Sequence, residues 1–320
     1  MLQQTDKDIL RTVPIRSHIL STACLFTVAL FADGAARAQQ VCSVTPTLRI
    51  PAVAHIFSVQ QERTLGDIEA EWLETNYHAV HDEVLSAHLN AVAGRILSQF
   101  PHDQARIRII LIDAPKAQAF SVGPERIYIT RTMITLLKND DELAGLLGHE
   151  LGHVLTHQNA IVVSQLFREI LGVNTVGDRK DISDKLTRTF NSIDRDTRML
   201  RKAAIIIERQ GATHEYDADR FAVYASAAAG FSPQAVVDLF DRSAETHGST
   251  GNLLGDFLGA TTSDEKRLRE INKTLRALLR PCREIAPATS TEFGTWRAAV
   301  ISHTDLAMPL VDPARQETER

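Results

Sequence analysis

The spacing of apolar positions changes period twice along the chain, and the changes separate helical from extended stretches. Leu65, Ile68 and Trp72 recur at helical intervals, as do Val84, Leu89, Val92 and Ile96, which predicts two amphipathic helices, the second ending near Phe100 and Pro101. Then the pattern tightens. Ile107 to Ile112 form a continuous apolar run of strand length, and Ala119 to Val122 with Arg126 to Ile129 read as two further strands joined at Gly123-Pro124. After Thr130 the helical period returns. Asn139 can cap a helix whose capping box is completed by Glu142, and Leu143, Leu146, Leu147, Leu151, Val154 and Leu155 give it an apolar face. The expected fold class is therefore α+β, a mainly helical domain with a small β-sheet just ahead of the helix in the run from Asp140 to Gln158.

Downstream, Ala160 to Leu171 is apolar and helix-like, Gly172 to Asp184 is polar, and Lys185 to Glu208 is amphipathic with dense charge. This segment reads equally as a lid or as a plain helical hairpin. An Ala-rich helix is expected to open at His214 and stop at Gly230, and another to run from Ser232-Pro233 to Glu245. Gly248 to Gly251 reads as a connector. Thr262 with Glu265 opens a helix holding Leu268, Ile271, Leu275 and Leu278, and Phe293, Trp296 and Val300 mark a last one.

The first residues follow a different rule. Lys7, Arg11 and Arg16 precede an apolar run from Ile19 to Ala32, and Ala36-Arg37-Ala38 has the small-x-small pattern of a signal-peptidase site. The expected organisation is a signal peptide over 1–38, a linker over 39–60, one domain over 61–285, and a C-terminal helix with a polar tail over 286–320. Export, to the periplasm or another extracytoplasmic space, follows from this reading, with peripheral membrane association left open. Cys42 and Cys282 are then the cysteines left in an exported chain, a plausible disulfide. With a formal charge of -5 and basic residues interleaved among acidic ones, no basic face is available to gather phosphates, so nucleic acid is not expected as a partner.

The chemistry is concentrated in His149-Glu150-Leu151-Gly152-His153. On a helix the two histidines lie one turn apart on one face, so both imidazoles can reach one Zn²⁺, with Glu150 beside whatever else the ion holds. A catalytic zinc keeps three protein ligands and one open position. His157, another turn on, cannot easily close a tetrahedron with the other two. The better third ligand is Glu215, with Asp219 one turn later placed to accept the outer N–H of a ligating histidine.

These residues carry a family resemblance. His149 to His153, followed by Glu215-Tyr216-Asp217-Ala218-Asp219, resembles the gluzincin peptidases of the CAAX-prenyl-endopeptidase and HtpX type. The likeness extends through Ala119-Phe120-Ser121-Val122, Arg126 to Thr130 and the helix start at Asp141 to Ala144, over roughly 61–280. The chain departs from the family at Gln118, often Asn, and at Thr262-Ser263, where the family has His-Pro. The resemblance implies a zincin-type metalloendopeptidase with one Zn²⁺ held by His149, His153 and Glu215, and Glu150 as general base. It also implies a sheet edge, Ala119, Phe120, Ser121 and Val122, that lies along the substrate cleft. The expected partners are polypeptides, unfolded or misfolded, in the cell envelope. The rival classes are a small-amide hydrolase using the same constellation and an idle zinc protein that holds exported clients. His214, Tyr216, Arg220 and Tyr224 are the candidates for a second oxyanion donor.

Overall fold

The computed structural model describes residues 42–44, 55–100, 107–244, 264–287 and 290–303. The expected signal peptide, the connector at Gly248 to Gly251, Thr262-Ser263 and the polar end of the tail lie outside the described residues. Helix α1 (Val59–Asn76) is followed by a two-residue strand β1 (His78–Ala79) and helix α2 (Glu83–Leu97). Next come β2 (Arg108–Asp113), β3 (Ala119–Val122), β4 (Arg126–Thr130), the short α3 (Arg131–Leu136) and α4 (Asp140–Leu155).

The strands form one sheet in the order β1-β2-β4-β3. β2 and β4 run parallel, while β3 and β4 make the hairpin read from the sequence, Phe120 opposite Tyr128. The turn between them needs Gly123: its φ is +57°, and a Cβ there would stand 2.7 Å from the Cα of Gly66 in α1. Alternating residues fill opposite faces. Ile112, Phe120, Val122 and Tyr128 pack with Ala70 and Leu73 of α1. Ile109, Leu111, Ala119, Ile127 and Ile129 pack against α2 and α4 through Leu89, Val92, Leu143, Leu147 and Leu151. A sheet covered on both faces explains why its strands appear as unbroken apolar runs.

Two residues placed on apolar stripes do not serve the core: Trp72 is 49% exposed and Val84 77%. α1 buries Leu65, Ala70 and Leu73 instead, and α2 buries Leu85 beside Val84. Adjacent apolar positions point about 100° apart on a helix, and only the neighbouring elements select one. The expected linker is also partly core. Phe57 is buried, its ring 6.2 Å from that of Phe167.

Asn139 caps α4 by accepting the Glu142 N–H at 2.9 Å. The reciprocal half of the expected box is displaced by one residue, because Glu142 accepts from the Lys138 N–H and pairs with Arg242. α4 ends at Leu155 with Thr156 as its cap, and His157 turns the chain through the left-handed region, φ 55°, into α5 (Gln158–Leu166), which widens into a π-helical turn at Phe167–Leu171. α6 (Arg179–Arg195) and α7 (Thr197–Ala228) follow. Val163, Leu166 and Phe167 pack with Ile182, Leu186, Ile206 and Ile207, and with Phe57 and Leu65, into a second hydrophobic cluster.

α7 corrects one expectation: no new helix opens at His214, since 32 residues from Thr197 to Ala228 form a single helix. The segment lacks Pro, and its Gly211 costs only about 1 kcal/mol, which packing overrides. α8 (Gln234–Ala244), α9 (Asp264–Ala277), α10 (Arg280–Arg283) and α11 (Thr291–Ser302) complete the described chain. In α11, Phe293, Trp296 and Val300 are buried, and Trp296 Nε1 donates to the Leu85 carbonyl at 3.0 Å. Cys42 and Cys282 are joined by a disulfide.

Candidate metal centre

The site is made where α4 and α7 come unusually close. A Cβ on Gly148 would meet the Ala222 Cα at 3.1 Å, and one on Gly152 the Ala218 Cα at 2.9 Å. Two glycines one turn apart, facing two alanines one turn apart, let the backbones approach to a distance that any larger side chain would forbid. The consequence is local. His149 and His153, beside those glycines on α4, meet Glu215, one turn before Asp219 on α7.

The meeting is tight. His149 Nε2 lies 3.0 Å from His153 Nε2, and each lies 3.4 Å from a Glu215 carboxylate oxygen. Three such atoms form one group able to hold a metal ion. A tetrahedral ion with bonds of about 2.0–2.1 Å separates its ligand atoms by about 3.3 Å, so the spacing fits Zn²⁺ without rearrangement. All three side chains are nearly closed to water, at 13%, 0% and 1% exposure. Two imidazoles and a carboxylate forced together in a dry site are a donor set that a cation completes.

Asp219 supports this trio. Its Oδ1 is 2.9 Å from His149 Nδ1, so that nitrogen is held toward Asp219 while Nε2 faces His153 and Glu215. Arg267, from α9, lies across Asp219 as a fork, Nε to Oδ2 at 2.9 Å and Nη2 to Oδ1 at 2.7 Å, and reaches Glu215 at 3.0 Å. Its guanidinium also stacks 4.4 Å over the Phe240 ring. Burial would raise the Asp219 carboxyl, but Arg267 and His149 outweigh it and hold the group down at about 2. The histidines diverge: burial opposes charge on both, yet the hydrogen bonds of Asp219 and Glu215 lift His149 to about 10, whereas His153 falls well below its ordinary value under burial and the neighbouring positive charges.

Glu150 is 1% exposed, on the same helix as both histidines. The Ala119–Val122 strand sits at the free end of the sheet order, and its inner face packs on α4. The Thr130 N–H bonds the Gln118 carbonyl at 2.9 Å, so by antiparallel alternation Phe120 and Val122 bond inward to β4 while the Ala119 and Ser121 main-chain groups face outward. Of the oxyanion candidates, Arg220 is 40% exposed and paired with Asp217. His214 is buried and close enough for its charge to act on His153.

His157 is not brought to this centre; its Nδ1 faces Glu62 at 2.8 Å. Arg267 was missed in the sequence, though a signal existed. It falls in helical register with Ile271, Leu275 and Leu278, a charge standing on an apolar stripe.

Residues 80–275 match the model of peptidase family M48. The chain is similar to the beta-barrel assembly-enhancing protease of Yersinia pestis, 22% identical over 59% of this chain and 38% of that protein. It is similar also to the protein of the same name in Escherichia coli K12, at 20% over 58% and 38%. The chain thus spans well under half the length of the curated relatives it matches.

Proposed function

This chain belongs to peptidase family M48 and is a metalloendopeptidase, and on that premise we propose that it cleaves unfolded polypeptides of the cell envelope at a zinc centre formed by His149, His153 and Glu215. The observation that carries the reading is the convergence of three side chains from two helices, the two imidazole Nε2 atoms 3.0 Å apart and each 3.4 Å from one of the two Glu215 oxygens. When bound, a zinc ion supplies a Lewis acid that polarises the scissile carbonyl and acidifies water.

The remaining steps belong to the chain's own groups. Glu150 accepts the proton of the attacking water and returns it to the leaving amine nitrogen. Asp219 holds His149 by its Nδ1, and Arg267 keeps Asp219 ionised and oriented. An extended substrate adds to the outward main-chain groups of Ala119 and Ser121, with Phe120 and Val122 fixing the strand from the other face. Recognition through backbone favours any segment that can be drawn out straight. The similar proteases are named for enhancing β-barrel assembly, and a client with unpaired strands would suit such an edge.

Export is supported by the Cys42–Cys282 disulfide, since such bonds persist in oxidising compartments. No helix among the described residues is long and apolar enough to cross a membrane. The test is casein cleavage by zinc-loaded protein beside its Glu150→Gln variant. The variant is expected to keep stoichiometric zinc and lose about two to four orders of magnitude in rate. Full activity in Glu150→Gln would overturn the assignment of the base, and no cleavage by the zinc-loaded wild type would overturn the reading itself.

A further inference from the structure

A second group of ligating side chains lies just beyond the C-terminal end of α4, separate from the first. His55, Glu62 and His157 each offer a donor atom, and all three atoms lie within 4.8 Å of one another. From this cluster we infer a second, accessory metal site for a borderline divalent transition ion such as Zn²⁺.

Three observations support it. The first concerns Glu62, a carboxylate on the first turn of α1 that is only 3% exposed. Its oxygens stand 2.8 and 3.0 Å from His157 Nδ1, a hydrogen bond that holds carboxylate and imidazole against each other where an ion could take the place of the shared proton. The second is His55. Its Nδ1 is closed to solvent and has no hydrogen-bond partner among the described residues, and its ring stands 5.4 Å from that of His157. A buried imidazole nitrogen without a partner costs free energy that a bound cation would recover.

The third is backbone. His157 has φ 55° and ψ 32°, a left-handed conformation where helix ends usually place glycine or asparagine. That turn directs His157 away from the face used by His149 and His153 and toward α1. Strain of this kind persists where the surroundings demand it and points to a role. Partly buried Glu69, seven residues along α1, is pushed up to about 8 by burial and by the negative charge of Glu62, the Asn159 hydrogen bond opposing.

The frame is firm. The Ile56 N–H donates to Ser164 Oγ at 3.0 Å, and Gln61 closes a capping box with Ser58 and donates to the Val176 carbonyl at 2.9 Å. Two imidazoles and one carboxylate suit zinc, cobalt or nickel better than calcium or magnesium, which favour oxygen donors. The His157 side chain is 41% exposed, whereas His149 is 13% exposed and His153 and Glu215 are nearly closed to water, so this site fills second. A filled site would fasten the segment at His55 and the start of α1 to the end of the helix that carries the first centre.

The experiment titrates metal-free full-length protein with Zn²⁺ by calorimetry and with Co²⁺ by its visible spectrum. Two equivalents are expected in the wild type, the weaker one absent from both His55→Ala and Glu62→Gln, with the tighter one retained. Zn²⁺ beyond one equivalent should raise the wild-type melting temperature and leave that of His55→Ala unchanged. Should either variant fail to fold, the wild-type count and anomalous scattering at the zinc edge still decide. A peak among His55, Glu62 and His157 supports the site. A single equivalent, a second equivalent surviving both substitutions, or a second peak elsewhere overturns it.

Discussion

Gly152 of α4 lies so close to Ala218 of α7 that a single added carbon would stand 2.9 Å from the Ala218 Cα. The contact is backbone against backbone, and neither helix can yield by a rotamer change. Gly152→Ala is therefore expected to destabilise the protein by about 1–3 kcal/mol, despite alanine's better helix propensity. It should also weaken zinc binding, because the separation it forces is the one that sets His153 against Glu215. Denaturant melts and zinc affinity of this variant check both, and a stabilised protein with unchanged affinity would refute the account.

Arg267 neutralises two buried carboxylates, Glu215 and Asp219, at 3.0 and 2.7 Å. Arg267→Met leaves both without that charge, so metal-free protein should lose about 3–5 kcal/mol, the usual cost of removing one partner of a buried ion pair. A bound dication compensates the same carboxylates. The deficit should then shrink when zinc is present, which melting with and without a chelator measures; an equal deficit in both states would show that Arg267 acts only through packing on Phe240.

Glu69 supplies a pH dependence. Its carboxyl is raised to about 8, so between the ordinary value of 4.5 and 8 the folded state holds more protons than the unfolded one. Stability from this group is full below about pH 4.5 and declines as pH rises toward 8. Glu69→Gln keeps an acceptor for Asn159, whose Nδ2 donates to Glu69 at 2.6 Å, and removes the titration. The variant is expected to gain at least about 1 kcal/mol over wild type at pH 8 and little at pH 5. Parallel stability curves for the two proteins would contradict it.

Ser121→Pro tests the substrate edge. Proline removes one outward N–H and fixes φ, changes that an edge strand tolerates and an internal strand does not. With β3 paired among the described residues to β4 only, the melting temperature is expected to fall by a few degrees at most, while KM for casein rises at least about tenfold. A collapsed melt would mean the outer groups of β3 are used in folding, and unchanged cleavage would mean that substrate binds elsewhere.

How much of this was legible in the sequence depends on the range of the forces involved. Helix and strand type, the hairpin at Gly123-Pro124 and the Asn139 cap follow from contacts within a few residues, and those are written in local spacing. The pairing of His149 with His153 is local for the same reason, one helical turn. Trp72 and Val84 were misplaced because hydrophobicity says that a side chain prefers burial and not which neighbour will cover it. Tertiary structure alone decided the rest. The length of α7 came from packing that overrides a glycine's modest cost. The fork of Arg267 on Asp219 joins residues 48 positions apart, and the pairing of Glu62 with His157 joins residues 95 apart. The register of Arg267 on an apolar stripe shows that it is buried but not against what, since contacts of that span exist only after the helices have packed and the cost of burying a charge selects the partner that comes within reach.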